Sequence, residues 1–249
     1  MGSGTFEARS LSAIPPLAVP YPIPLILLSG AGADERMFEK LKPFLPEMVV
    51  PKWLPVRRGE SLRSYAHRLA DEIGRERDCF IGGASLGGFL AMEMLPYLNA
   101  RACFLIGAVR SPAEMPFLIR LLRPAHALCR IIPFQLFLWL AGFLAATFGP
   151  ILPRRLREFL RLGGSLDEDF FRWSLEAVLL WGEEGPPPPS STPVFQIHGQ
   201  KDRVLPAKLT HPDEIIPKGG HVIALSHPQQ VAGYIRRHMV ALTRSDTAA

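Results

Sequence analysis

Residues 79–94, CFIGGASLGGFLAMEM, place a serine between glycines, directly after a short apolar run and before a helical pattern. The pentapeptide GASLG (83–87) matches G-x-S-x-G, in which a strained turn from strand to helix exposes the serine hydroxyl above a sheet. Small flanking residues avoid backbone clashes at such a turn. The apolar run before the serine and the helical pattern after it supply the context that this turn requires. Ser85 is therefore our candidate nucleophile.

Composition and charge bound the class of protein. The 249 residues, 48% of them hydrophobic and 20% charged, suffice for one substantial core with room for an insertion. The formal net charge is +5, but the basic residues are spread along the chain, so we predict no nucleic-acid partner. Three cysteines form neither a CxxC pair nor a metal-ligand spacing with the seven histidines. This usage predicts reduced thiols, a cytoplasmic protein and no metal site.

Short apolar runs alternate with helix-period segments along most of the chain, a pattern typical of a parallel sheet covered by helices on both faces. Predicted strands lie at 23–32, 48–54, 79–84, 102–109, 193–200 and 213–217, and predicted helices at 33–45, 61–74, 86–98 and 227–242. We expect residues 1–21, which five prolines interrupt near their end and just beyond it, to be a flexible lead-in. The α/β core then spans 22–109 and 190–249, and residues 110–189 form an inserted, apolar, all-helical cap.

A serine hydroxyl needs a base to become a nucleophile, and the base needs an acid that orients it. Asp202 lies in a loop after a predicted strand, and His221 follows paired glycines in KGGHVIAL (218–225). The chain order serine, aspartate, histidine is the one that accompanies a G-x-S-x-G turn of this kind.

Two other acids and one other histidine lie near these residues in the predicted fold or sequence pattern and are alternatives to them. Asp213 and Glu114 are the alternative acids. His198 precedes Asp202 at the end of a predicted strand, where we expect a structural role for it rather than a catalytic one.

These motifs together resemble the α/β-hydrolase superfamily over residues 23–109 and 193–243. The stretch SGAGADERMF (29–38) is similar to the family's loop after its third strand, which contributes one oxyanion-hole amide. The resemblance implies that the backbone N–H groups of Ala31 and Leu86 are the two donors. Many members have His-Gly where this chain has Ser29 and a glycine. Ser29 has two interpretations: it is either a polar substrate contact or a hydrogen-bonding residue at the start of the next helix.

The resemblance also narrows the chemistry. Dehalogenases and epoxide hydrolases of this fold carry aspartate where Ser85 stands, so acyl chemistry is expected, with no metal and no organic cofactor. The expected activity is hydrolysis of a carboxylic ester through an acyl-enzyme. Thioesterases, acyltransferases and C–C bond hydrolases have the same triad and stay open, as does a non-catalytic protein that binds a small molecule.

Substrate preference is expected to come from the cap. Its segment IIPFQLFLWLAGFLAATFGPIL (131–152) has 22 residues without a formal charge and arginines on both flanks. The length and hydropathy suit a membrane span, but one span would separate two strands that belong to one sheet. Two interpretations remain: an apolar lid in which Leu138 and Phe143 contact the substrate, or a surface that docks on a membrane. Both predict an apolar ester.

Overall fold

Six parallel strands form the centre of the fold in the computed structural model, which describes residues 23–133, 136 and 167–247. Within these residues the strand order is β2-β1-β3-β4-β5-β6, and each neighbouring pair is parallel. The strands are β1 (Leu25–Leu28), β2 (Met48–Val49), β3 (Cys79–Ala84), β4 (Ala100–Ile106), β5 (Val194–Gly199) and β6 (Glu214–Ile216). The predicted α/β class is confirmed.

Helices cover both faces of this sheet. The described α-helices are α1 (Leu62–Ile73), α2 (Leu86–Met94), α3 (Phe117–Leu121), α4 (Leu128–Ile131), α5 (Glu168–Leu180), α6 (Ile223–Ser226) and α7 (Pro228–Thr247). Short 3₁₀-helices lie at Glu35–Leu41, Leu95–Tyr97, Pro112–Glu114, Arg123–Ala125 and Ala207–Leu209. Ser61 caps α1 by accepting a hydrogen bond from the N–H of Ser64, as expected for a serine in that position.

The sheet separates two apolar cores, because successive side chains of a strand point to opposite faces. In β1, Leu25 and Leu27 pack with the 3₁₀-helix Glu35–Leu41 and with α7. Ile26 and Leu28 instead pack with α1, α2 and α5. The fully apolar strands therefore reflect burial on both sides, as in other parallel sheets.

Several predicted elements are shorter than the sequence pattern indicated, such as the strand predicted at 23–32, which is Leu25–Leu28. Prolines explain two others. The predicted strand 48–54 pairs with β1 only at Met48–Val49, since Pro51 has no N–H for the ladder. The predicted helix 33–45 is a 3₁₀-helix that ends at Leu41, because Pro43 has no N–H to extend it. By contrast, α7 continues to Thr247, five residues beyond the predicted end.

A buried glutamate of α2 joins the inserted region to the core. Glu93 is 2% exposed, and its Oε1 accepts a hydrogen bond from the Trp181 indole at 2.8 Å. Its Oε2 accepts from Nε of Arg63 at 2.9 Å, and the same guanidinium donates to the carbonyls of Glu184 and Gly185. Trp181 also stacks on Phe89 of α2 at 4.7 Å between ring centroids. This cluster ties the end of α5 to α1 and α2.

The described part of residues 110–189 contains helices and no strand. The exact bounds of the cap stay a prediction, and Leu138 and Phe143 lie outside the described residues. Where the structure describes the chain, it contains no helix with both the length and the apolar character that a membrane span needs.

Candidate active site

Ser85 occupies a strained turn between β3 and α2. Its φ of 52° and ψ of −119° are unusual for a residue with a side chain. A methyl group at Gly83 would lie 2.3 Å from the carbonyl carbon of Gly87, and one at Gly87 would lie 2.1 Å from the carbonyl oxygen of Leu28. Because neither position has room for a Cβ, the two glycines of the motif are required at this spacing. The strained backbone at Ser85 thus lies at the residue whose hydroxyl the turn presents.

The structure brings the three sequence-predicted side chains into one hydrogen-bonded chain. Nε2 of His221 lies 3.1 Å from Oγ of Ser85, and Nδ1 of His221 lies 2.8 Å from Oδ2 of Asp202. The carboxylate accepts, so Nδ1 carries the hydrogen and the Nε2 lone pair faces the serine. In this tautomer the Ser85 hydroxyl donates to Nε2. The arrangement is that of a nucleophile, a general base and an orienting acid.

Asp202 is held as a carboxylate. Asp202 is 4% exposed, and its Oδ1 accepts hydrogen bonds from the N–H groups of Val204 and Leu205 at 2.9 Å each. Burial alone would raise the pKa of Asp202, but the charge of His221 and hydrogen bonds from both neighbouring histidines and Leu205 outweigh it. These interactions hold the pKa of Asp202 below its usual range. Asp202 is therefore ionised at neutral pH.

His198 contacts the same carboxylate from the protein interior. It is fully buried, and its Nε2 lies 2.6 Å from the carbonyl oxygen of Leu205 and 3.2 Å from Oδ2 of Asp202. Both neighbours are acceptors, so Nε2 carries the hydrogen and donates. The structural role predicted for His198 thus includes a contact with Asp202 that we did not anticipate. The only sequence signal for it is the four-residue spacing in HGQKD (198–202).

Glycines let the loops at the carboxyl edge of the sheet approach one another. Gly107, directly after β4, has a φ of +56°, and a methyl group there would lie 2.8 Å from the carbonyl oxygen of His221. A methyl group at Gly199, the last residue of β5, would lie 2.2 Å from the carbonyl oxygen of Gly220. These approaches set the His221 loop against the ends of β4 and β5. Sequence reasoning singled out the glycines before His221 but missed Gly107.

The loop after β1 lies beside the turn that carries Ser85. A methyl group at Gly30 would be 3.7 Å from Cβ of Ser85, which places the adjoining Ala31 at the same edge of the sheet. Among the described residues, neither the Ala31 N–H nor the Leu86 N–H donates a hydrogen bond to another protein group. Both amides therefore retain the donor that an oxyanion hole needs. Their role stays a prediction.

Ser29 has a contact within its own loop. The side chain is buried, and Oγ donates to the carbonyl oxygen of Ala33 at 2.9 Å. This is the hydrogen bond expected of a residue that shapes the start of the following helix, the second of its two interpretations. A contact of Ser29 with substrate stays a prediction.

The alternative acids are engaged elsewhere. Asp213 accepts hydrogen bonds from the backbone N–H of Gln196 and the hydroxyl of Tyr234. Glu114 accepts from the backbone N–H of Arg110. Asp202 is thus the acid that contacts His221.

Metal-ligating side chains and a nearby cavity are two further features of the described residues. Within residues 23–133, 136 and 167–247, no group of three or more His, Cys, Asp or Glu side chains could hold a metal ion. A cavity of about 180 Å³ lies between α1, α2 and α5, but none of the three triad residues lines it.

Comparison with known proteins gives one matching family and many solved structures with a similar fold. The model of a family described as "Alpha/beta hydrolase family" matches residues 25–234. No curated protein sequence matches the chain. Similar solved structures include a thermophilic esterase from Thermogutta terrifontis, with 17% identity, 90% of this chain and 91% of that chain covered, and a TM-score of 0.66.

Two other structures share the fold. MenH from S. aureus is 16% identical, with 91% and 96% of the two chains covered and a TM-score of 0.69. The 2-hydroxy-6-oxo-6-phenylhexa-2,4-dienoate hydrolase of Rhodococcus sp. strain RHA1 is 19% identical, with 87% and 90% covered and a TM-score of 0.60. At these identities the structures establish the fold alone, whereas the family model covers most of the sequence. The chain belongs to the alpha/beta hydrolase family.

Proposed function

We propose that the protein is a serine hydrolase that cleaves carboxylic esters with an apolar acyl or alcohol part. The observation that carries the proposal is the hydrogen-bonded chain from Ser85 through His221 to Asp202. Serine in the turn supports acyl transfer, because a hydroxyl activated by a neutral imidazole attacks carbonyl carbon.

In the first half of the reaction, Oγ of Ser85 attacks the ester carbonyl and its proton passes to Nε2 of His221. Asp202 holds the ring and stabilises the imidazolium that forms. The carbonyl oxygen becomes an oxyanion and accepts hydrogen bonds from the N–H groups of Ala31 and Leu86. When the tetrahedral intermediate collapses, the C–O bond to the alcohol breaks and His221 returns the proton to the departing alkoxide.

In the second half, water attacks the acyl carbon and gives one proton to His221. Collapse of the second intermediate breaks the bond between the acyl carbon and Oγ of Ser85. The proton on Nε2 returns to the serine oxygen, and the carboxylic acid leaves. No step consumes an oxidant, a reductant or a group that the chain lacks.

Support for an ester substrate comes from the comparisons. Solved structures with this fold include esterases from Thermogutta terrifontis and Exiguobacterium antarcticum, each 17% identical to this chain. Support for an apolar substrate comes from the composition of residues 131–152, which have no formal charge. The proposal competes with three other activities: hydrolysis of thioesters, acyl transfer to an acceptor other than water, and hydrolysis of C–C bonds.

The proposal includes a cytoplasmic location. Its support is that Cys79, Cys103 and Cys129 are buried, unpaired thiols, as expected in a reducing compartment. Burial raises the pKa of Cys79 to about 11, which keeps that thiol protonated and unreactive.

The test is a substrate series with the purified full chain: nitrophenyl esters from acetate to decanoate, and the matching acyl-CoA thioesters. If an apolar pocket takes the acyl chain, each methylene contributes up to about 0.8 kcal/mol until the pocket is filled, about fourfold in kcat/KM. We expect medium-chain esters to be hydrolysed faster than acetate and faster than thioesters. Ser85→Ala should lose about 10⁶ in kcat, whereas the exposed Ser64→Ala should match the wild type.

Three results would contradict the proposal. Hydrolysis by folded Ser85→Ala at a tenth of the wild-type rate would remove the serine from the mechanism. A preference for thioesters at every chain length would make the protein a thioesterase. Binding of esters without turnover would make it a non-catalytic relative.

A further inference from the structure

The described part of the cap exposes a dense set of large apolar side chains. They lie on α3, on α4 and on the segment between them, with relative exposures from 46% to 74%. We call this set the cap surface; it consists of Phe117, Leu118, Leu121, Leu122, Leu128 and Ile131. Water-soluble proteins seldom expose so many large apolar groups within fifteen residues unless that surface binds something.

The polar contacts of the same segment point inward. Nη1 of Arg172, on α5, donates to the carbonyl oxygens of Cys129 and Ile132 at 2.9 and 2.7 Å. Arg130 and His126 contact the carboxylate of Glu176, which is also on α5.

A third arginine fixes the middle of the segment, because Nη2 of Arg123 donates to the carbonyl oxygen of Trp181. The segment is therefore attached to the rest of the protein by its charged and backbone groups. The side chains of the cap surface face outward, whereas Cys129 is buried and Ile119 packs against the core.

Charge identifies the partner that this arrangement fits. From residue 115 to residue 133 the sequence has no Asp and no Glu but three arginines, Arg120, Arg123 and Arg130. Arg120 is exposed between the apolar residues of α3 and α4. Leucine, isoleucine and phenylalanine next to arginine are the side chains that insert at the boundary between acyl chains and anionic headgroups.

We propose that the cap surface docks on the face of an anionic lipid bilayer. The apolar side chains enter the acyl boundary and Arg120, the exposed arginine of α3, contacts the headgroup phosphates. Docking would bring the protein to the phase in which apolar esters partition. Binding is independent of the proposed activity, so each can fail without the other.

The test is co-sedimentation of the purified full chain with vesicles of phosphatidylcholine alone or of phosphatidylcholine and phosphatidylglycerol in equal parts. We expect binding to the mixed vesicles at 50 mM salt, at least tenfold weaker binding to the neutral ones, and loss of the difference at high salt. Salt acts because exposed charges are screened over about 10 Å at 0.1 M. Ser85→Ala should bind like the wild type.

Matched variants localise the contact. Phe117→Ser with Ile131→Ser removes the two most exposed members of the cap surface and should lower the partition coefficient at least tenfold. The control is Val49→Ser with Ile215→Ser, two residues of β2 and β6 that are also about half exposed and lie outside the cap. Arg120→Gln should reduce binding to the mixed vesicles and leave binding to the neutral ones unchanged.

Several results would overturn the proposal. One is absence of binding to mixed vesicles at low salt by a protein that hydrolyses esters. Another is equal loss of binding in the control pair, which would show a nonspecific effect of lost apolar surface. A third is a stable dimer that only Phe117→Ser with Ile131→Ser dissociates, combined with no vesicle binding; the occupant would then be a second copy of the chain.

Discussion

Replacing Glu93 with leucine tests the attachment of the inserted region to the core. The leucine keeps the buried position apolar and filled, but it removes the acceptor of the Trp181 indole and the partner of Arg63. The indole N–H is then buried without a partner, which costs about 1–3 kcal/mol. The Arg63 side chain is 21% exposed, so solvent screens the ion pair with Glu93, and its loss costs about 1 kcal/mol or less.

The sum is a loss of about 1–4 kcal/mol in the free energy of unfolding. For a chain of this size each kcal/mol lowers Tm by about 2–4 °C, so we expect a drop of about 2–16 °C. Urea unfolding followed by circular dichroism measures the free energy, and a thermal scan measures Tm. The exposed Glu72→Leu in α1 is the matched control and should lie within about 0.5 kcal/mol of the wild type.

A double-mutant cycle with Trp181→Phe isolates the hydrogen bond itself. The phenylalanine keeps an aromatic ring for stacking on Phe89 but has no N–H. Because the double variant leaves no unpaired indole, it should cost about 1 kcal/mol less than the sum of the single variants. Additive effects, or a Glu93→Leu protein as stable as Glu72→Leu, would refute this reasoning.

The remaining predictions concern the active site. His198→Leu should lower kcat/KM about tenfold, the worth of one hydrogen bond to a charged group, while His198→Gln, which keeps a donor, should lose much less; equal losses in initial-rate assays would contradict this. Gly87→Ala should cost at least about 1–3 kcal/mol in urea unfolding, because its methyl group meets the Leu28 carbonyl oxygen; unchanged stability would disprove the close approach. The folded pKa of Asp202 lies below the unfolded value of about 3.9, so its contribution to stability is complete above that pH and lost below it. The stability difference between the wild type and Asp202→Asn should therefore shrink as the pH falls below about 4; a difference that is unchanged from about pH 5 to about pH 2 would contradict the lowered pKa.

The sequence predicts the order of elements around Ser85 well, because each feature is local. The apolar runs have the length of buried strands, and the glycines at 83 and 87 stand where a Cβ would clash. The ends of strands were less predictable. Pairing of β2 stops at Val49 because of a proline two residues later, although the residues beyond it remain apolar.

Contacts across the fold could not be read from the sequence. Gly107 makes room for the His221 loop, and those residues are 114 positions apart. Glu93 lies on a helix with apolar neighbours, where nothing in the local pattern indicates partners on α1 and beyond α5. His198 resembles any histidine at a strand end until the loop after β5 folds back and places Asp202 on its Nε2. Such contacts depend on topology, so only the folded chain reveals them.

Covalent labelling by a fluorophosphonate, followed by mass spectrometry, tests the central claim most directly. We expect one adduct per chain, located on Ser85, formed by the wild type at neutral pH, absent from Ser85→Ala and strongly slowed in His221→Ala. An adduct on any other residue, or an unlabelled wild type that still hydrolyses esters, would contradict the assignment of Ser85 as the nucleophile.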